Sequence, residues 1–209
     1  MSRVVEGWLE GVARLPTPNA DDRPPGELVE LVVIHNVSLP PGEYGLRNVH
    51  ALFTNCLDPA AHPYFKEICE LKVSSHYLIR RDGAVVQFVP PEKRAWHAGA
   101  SSWRGRSRCN DFSIGIELEG TEDDVFTDAQ YRTLTELLRD LRSQHPIRDV
   151  AAHSDVAPGR KTDPGARFDW VRLLAGLALE HDLDLVRRMG RARDLFLVAG
   201  CGAAVAFFV

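Results

Sequence analysis

The sequence predicts an α/β fold with a mixed central β-sheet flanked by helices. Three observations predict it. Short apolar, β-branched runs of strand length share the chain with amphipathic stretches of helical period. Asp82-Gly83 stands between two strand-like runs, which marks a hairpin and hence an antiparallel pair. Other strand candidates are separated by helical segments, so strands and helices intermingle and the sheet is mixed.

The first strand is LVVIH, Leu31–His35, a short run that reads as buried. HYLIRR and AVVQFVP, His76–Arg81 and Ala84–Pro90, are the arms of the hairpin. FSIGIELEG, Phe112–Gly120, is a further strand. Its period of two places Ile114, Ile116 and Leu118 on one face and Glu117 with Glu119 on the other. Glu119 is expected to face solvent. Thr127 and Gln130 have the spacing of a capping box. They open a helix whose apolar face is Tyr131, Leu134, Leu137, Leu138 and Leu141. DVAAH, Asp149–His153, is a short strand that ends at a polar loop. Asp169 caps a last helix carrying Trp170, Leu173, Leu174 and Leu177.

With 209 residues, 44% apolar and 26% charged, the chain has ordinary globular composition and enough length for a sizeable core. A net charge of −4 excludes a generally basic nucleic-acid binder, and no nucleic-acid partner is expected. Cys56, Cys69, Cys109 and Cys201 form no C-x-x-C pair and no zinc-finger spacing. The start, MSRVVEGWLEG, has neither the apolar run nor the cleavage site of a signal peptide, so a cytoplasmic protein with reduced thiols is expected.

The two ends of the chain differ in texture. Residues 1–180 read as one domain and residues 181–209 as a basic linker with an apolar tail. Arg187, Arg188, Arg191 and Arg193 precede Leu195–Val209, a segment with no charge. A spanning helix takes roughly 17–25 apolar residues, so this run is slightly short. Its basic flank suits the inner face of the cytoplasmic membrane. Membrane contact through the tail is therefore one expectation, and packing of the tail on its own domain is the other.

Two of the eight histidines stand apart. His35 and His153 each end a strand-like segment and open a polar, Pro-containing loop, the kind of place where sites are built. Asp163 follows His153 within HSDVAPGRKTDPG, and a loop of that length can fold back on itself. Two imidazoles and one carboxylate suit zinc and leave a fourth position for water. Spacing alone leaves open that both histidines are hydrogen-bonded structural residues. Glu117, if its strand face lines a cleft, could act as general base to a metal-activated water, and Lys161 could stabilise an oxyanion. The bland alternatives are a solvated carboxylate and a surface lysine. Arg94–Gly99, with Trp96 and His97, has the makings of a sugar or peptide contact, or of a core aromatic and its neighbour. The polar run from Ser101 offers arginines to an acidic ligand, or is a solvated loop. Cys109 within it reads as inert. There is no nucleophile elbow, P-loop or dinucleotide fingerprint.

HNVSLPPGEYG, HPYF, SSHYLIRRDGAVVQFVP, RAWHAGASSWRGRSRCNDFSIGIELEGT and HSDVAPGRKTDPG together resemble one family. It is the zinc-dependent N-acetylmuramoyl-L-alanine amidases of the type-2 amidase and peptidoglycan-recognition fold. Within it the chain resembles the cytoplasmic 1,6-anhydro-N-acetylmuramyl-L-alanine amidases of wall recycling, the AmpD type. The similarity runs in order from about Glu6 to Leu174. It implies that His35, His153 and Asp163 are ligands of one Zn2+ per chain, that Glu117 is the catalytic acid/base, and that Lys161 stabilises the transition state. It also implies that Asn36, Lys72, Trp96, His97, Arg106 and Asn110 line the groove for a muropeptide substrate. The type leads one to expect arginine where Lys72 stands; lysine keeps the charge but loses the bidentate fork for a peptide carboxylate. The apolar tail has no counterpart in the resemblance.

The reaction so implied is hydrolysis of the amide between the lactyl group of (1,6-anhydro)-N-acetylmuramic acid and L-alanine. Glu117 takes a proton from water and returns it to the leaving amine, while zinc and Lys161 hold the oxyanion. Three alternatives stand beside it: an amidase acting on intact peptidoglycan, a non-catalytic peptidoglycan-recognition module, and a structural zinc domain.

Overall fold

The computed structural model describes residues 4–178. A six-stranded sheet forms its centre, built from β1 (Ala13–Arg14), β2 (Leu31–Val37), β3 (Tyr77–Ile79), β4 (Val85–Gln87), β5 (Ser113–Glu119) and β6 (Asp149–Ala152). The spatial order is β6-β2-β5-β3-β4-β1. β6, β2, β5 and β3 pair in parallel, the β3–β4 hairpin is antiparallel, and β1 pairs in parallel with β4. The sheet is mixed, as the sequence predicts. The hairpin turns where Asp82-Gly83 stands: Gly83 has φ +85°, which glycine adopts without strain, and the Asp82 carboxylate accepts the Ala84 N–H at 3.0 Å.

β2 and β5 are apolar runs because both faces of the sheet are covered. One face carries Val32, Ile34, Ile114, Ile116 and Leu118, packed against Leu134, Leu138 and Leu141 of α3 (Asp128–Gln144) and Leu173 and Leu177 of α5 (Trp170–Ala178). α3 begins at the predicted box: Thr127 Oγ1 accepts from Gln130 N at 3.1 Å, and Gln130 Oε1 accepts from Thr127 N at 3.0 Å. Asp169 Oδ1 accepts from Arg172 N at 2.9 Å, the expected cap of α5.

The opposite face is covered in two parts. Leu31, Val33 and Ala151 lie under the loop that carries Ala98, Trp103, Cys109 and Phe112. Leu78 and Val86 lie under α1 (Leu46–Phe53) and α2 (Phe65–Ile68), through Val49, Leu52, Phe53 and Phe65. These two helices carry no capping signal in the sequence. α1 follows Gly45 with no side-chain cap, and α2 is a single turn. Between the two covers the sheet face is open, and there it carries His35 and Glu117.

Two local expectations are corrected. β6 stops at Ala152, and His153 opens the one-turn α4 (His153–Val156), because the Asp155 carboxylate reaches back to accept the Ala152 N–H at 2.9 Å. Glu119 does not face solvent. It is 4% exposed and accepts from Gly45 N at 2.7 Å and Arg81 N at 2.9 Å. The domain boundary near residue 180, the four arginines beyond it, Cys201 and the apolar segment 195–209 lie outside the described residues. Among the described residues no helix is long and apolar enough to cross a membrane.

Candidate functional site

His35 leaves β2 on the open face, and Glu117 of β5 is its register partner. His153 arrives from the next parallel strand, at the first residue of α4. The following loop folds back: Ser154 N donates to Asp163 O at 3.0 Å and brings the Asp163 carboxylate beneath both rings. Arg160 fastens this loop, its guanidinium donating to the carbonyls of Ala98 and Ala100.

Three ligand atoms converge. His35 Nδ1 and His153 Nδ1 are 2.9 Å apart, and each is 3.0 Å from Asp163 Oδ2. The outer nitrogen of His153, Nε2, faces only an acceptor, the Ala98 carbonyl at 3.3 Å. It therefore carries the proton and leaves an Nδ1 lone pair aimed at a carboxylate oxygen. A lone pair and a carboxylate at this distance repel unless a cation lies between them. The donor set and its convergence fit a zinc-type centre with one position open.

The surroundings set the charges. Burial pushes the His35 imidazole down to about 4, against the opposing pull of Asp163. Glu117 is raised well above the usual glutamate value, first by burial and then by the Asp163 charge, with Lys161 acting the other way. Its Oε2 is buried without a hydrogen-bond partner.

These residues sit at the floor of a cleft of about 470 Å³. One wall is apolar and comes from Leu39, Leu52, Phe53, Tyr64, Ile68 and Leu71; the other is polar, from Thr121, Glu122 and Asp123. Exposed Lys161 lines it beside Asp163. Asn36 lines it too, and its amide nitrogen is a buried donor without a partner.

The other expected groove residues are placed differently. His97 lines the cleft, but its ring nitrogens face His35 Nε2 at 3.0 Å and Ser113 Oγ at 3.2 Å. Asn110 is not among the cleft residues; its side-chain oxygen accepts from His97 N at 3.2 Å and Ala98 N at 2.7 Å. Trp96 is half-buried and pairs its backbone with Ser74, outside the lining. Lys72 is exposed between the lining residues Leu71 and Val73. Arg106 lies away from the cleft, paired with Glu27 and Glu30 and seated over the Phe112 ring. The apolar wall has no signal in the sequence beyond the amphipathic spacing of α1, and Ser113 has none.

The family described as N-acetylmuramoyl-L-alanine amidase matches residues 24–166. The chain is 56% identical over 169 residues to the 1,6-anhydro-N-acetylmuramyl-L-alanine amidase AmpD of Escherichia coli (strain K12), an alignment covering 80% of this chain and 92% of that one. Among solved structures, a crystal structure of an AmpD selenomethionine derivative is similar with TM-score 0.82 and 54% identity, covering 84% of this chain and 99% of the other. The E. coli amidase AmiD, in complex with its substrate anhydro-N-acetylmuramic acid-L-Ala-D-γ-Glu-L-Lys, is similar with TM-score 0.53 and 29% identity, covering 84% of this chain and 65% of that one.

Proposed function

The chain belongs to the N-acetylmuramoyl-L-alanine amidase family, and from that premise we propose how its cleft performs the reaction. It is an amidase of peptidoglycan recycling. It hydrolyses the amide that joins the lactyl group of 1,6-anhydro-N-acetylmuramic acid to L-alanine of the stem peptide.

His35, His153 and Asp163 would hold one zinc ion per chain. Zinc bound there acts as a Lewis acid, polarising the scissile carbonyl and lowering the pKa of water toward neutrality. Glu117 accepts a proton from the attacking water and passes it to the leaving amine of L-alanine. A buried carboxyl already inclined to hold a proton suits the second half of that task as well as the first. The Lys161 ammonium offsets the negative charge that develops on the carbonyl oxygen. Asn36 offers its free N–H to an acceptor of the muropeptide, and the apolar wall takes the less polar faces of sugar and peptide. Lys72, at the rim, attracts a peptide carboxylate. The observation that carries this reading is the convergence of three ligand atoms beside an unpartnered, buried Glu117 oxygen.

The test is peptide release, followed by mass, from zinc-loaded protein incubated with anhydromuramyl-tripeptide and, in parallel, with intact sacculi. Release from the soluble fragment is expected. Preferential release from sacculi would make the chain a wall-lytic amidase, and release from neither would make it a recognition module. We place the reaction in the cytoplasm. Fractionation of cells checks this, and full-length protein that pellets with membranes while a chain ending at Asp194 stays in solution would add a membrane tether.

A further inference from the structure

We infer that His97 is a positioning residue of the metal centre, which fixes through one hydrogen bond which nitrogen of His35 faces His153 and Asp163. The inference rests on the zinc reading above. The direction of every proton in the relay follows from its far end. Ser113 Oγ lies 2.6 Å from the Cys109 carbonyl, which can only accept, so the single hydroxyl proton points there. The hydroxyl oxygen is then the acceptor for His97 Nε2–H at 3.2 Å. His97 Nδ1 is left as a lone pair and accepts from His35 Nε2–H at 3.0 Å. His35 Nδ1 is therefore unprotonated on the side of Asp163, the form a metal requires.

The relay is built in. A Cβ on Gly115 would lie 2.5 Å from the His97 ring, so only glycine lets the imidazole sit flat on β5. Asn110 Oδ1 accepts both the His97 and the Ala98 N–H. The Ala98 carbonyl is in turn the partner of His153 Nε2. One clamped dipeptide thus supplies the outer hydrogen bond of both histidines. Both nitrogens of His97 are occupied, so the ring has no polar atom left for substrate.

The experiment is zinc affinity by chelator competition on the full-length chain, with kcat and KM for anhydromuramyl-tripeptide at saturating zinc. His97→Phe keeps a ring over Gly115 but removes both nitrogens. It should weaken zinc by about 10- to 100-fold, lower kcat and leave KM unchanged. His97→Asn, whose side-chain oxygen can stand where Nδ1 stood, should recover most of the affinity. Zinc affinity of His97→Phe within about 2-fold of the parent, on the scale of such outer hydrogen bonds, would overturn the inference. So would a raised KM at unchanged affinity, which would make His97 a substrate contact. If His97→Phe does not fold, Ser113→Ala decides: it contacts no ligand residue, should weaken zinc by about 3-fold or more, and an unchanged affinity overturns the relay. A parent chain that binds no zinc, or a His35→Ala variant that binds it as the parent does, would instead overturn the zinc reading.

Discussion

Glu117 and His35 are register partners across the parallel ladder of β2 and β5, so their side chains leave the same face of the sheet one strand apart. The carboxylate and the imidazole are placed by backbone hydrogen bonding, not by a loop. This makes Glu117→Gln a clean probe. The variant should keep its zinc, measured by metal analysis, while turnover of anhydromuramyl-tripeptide falls by about 10²- to 10⁴-fold, the usual worth of a general acid/base. Turnover near the parental rate would remove Glu117 from the mechanism.

Removing the metal should leave a protein that weakens in acid. Burial lowers His35 to about 4 and also lowers His76 and His97. These rings stay neutral in the fold while the unfolded chain protonates them near pH 6.5. Stability contributed by the neutral rings is present above that value and is lost as pH falls through it. Glu117 opposes the trend, since its raised value means that unfolding near pH 5 releases a proton. Urea midpoints of chelator-treated protein between pH 7 and pH 5 should therefore fall. In Glu117→Gln the fall should be steeper by up to about one proton's linkage, ~1.4 kcal/mol per pH unit. A flat profile would contradict the burial of these rings.

Glu119→Ala should destabilise the protein by about 1–3 kcal/mol, because the N–H groups of Gly45 and Arg81 lose a charged acceptor. The segment from Leu39 to Gly45 leads into α1 and the apolar wall of the cleft. A raised KM should accompany the lower melting temperature. Unchanged melting would mean that water replaces the carboxylate at no cost.

Gly115→Ala puts a methyl group into the His97 ring. Overpacking of this kind costs about 1–3 kcal/mol, and the ring must tilt away from His35. Loss of zinc affinity together with stability is expected. A variant with parental melting and parental affinity would show that the ring has room to move.

The parts of the fold legible in the sequence are those written in local signals. The alternation of Phe112–Gly120 gives Glu117 its face, the Thr127–Gln130 box gives α3 its start, and Asp82-Gly83 gives the hairpin. His35, His153 and Asp163 could be singled out from their segments, although β2 runs on to Val37 so that His35 lies within the strand and does not end it, and the structure brings the three together. What was not legible depends on distant partners. Glu119 reads as solvent-facing because nothing near it in sequence reveals Gly45 and Arg81 as donors. The pairing of Arg106 with Glu27 and Glu30 is not legible because those partners lie far back in the chain. Ser113 reads as an ordinary strand residue, since its importance comes from a carbonyl four positions earlier and a ring from another loop.

Arg160 ties the loop that carries Lys161 and Asp163 to the carbonyls of Ala98 and Ala100. Asp163 and the Lys161 ammonium thereby share one anchored loop, held also by the Ser154 N–H on the Asp163 carbonyl, and one of the anchor points is the carbonyl that faces His153. Loosening the Arg160 anchor would therefore disturb the carboxylate and the positive charge together, two separate chemical roles lost through one residue that takes part in neither.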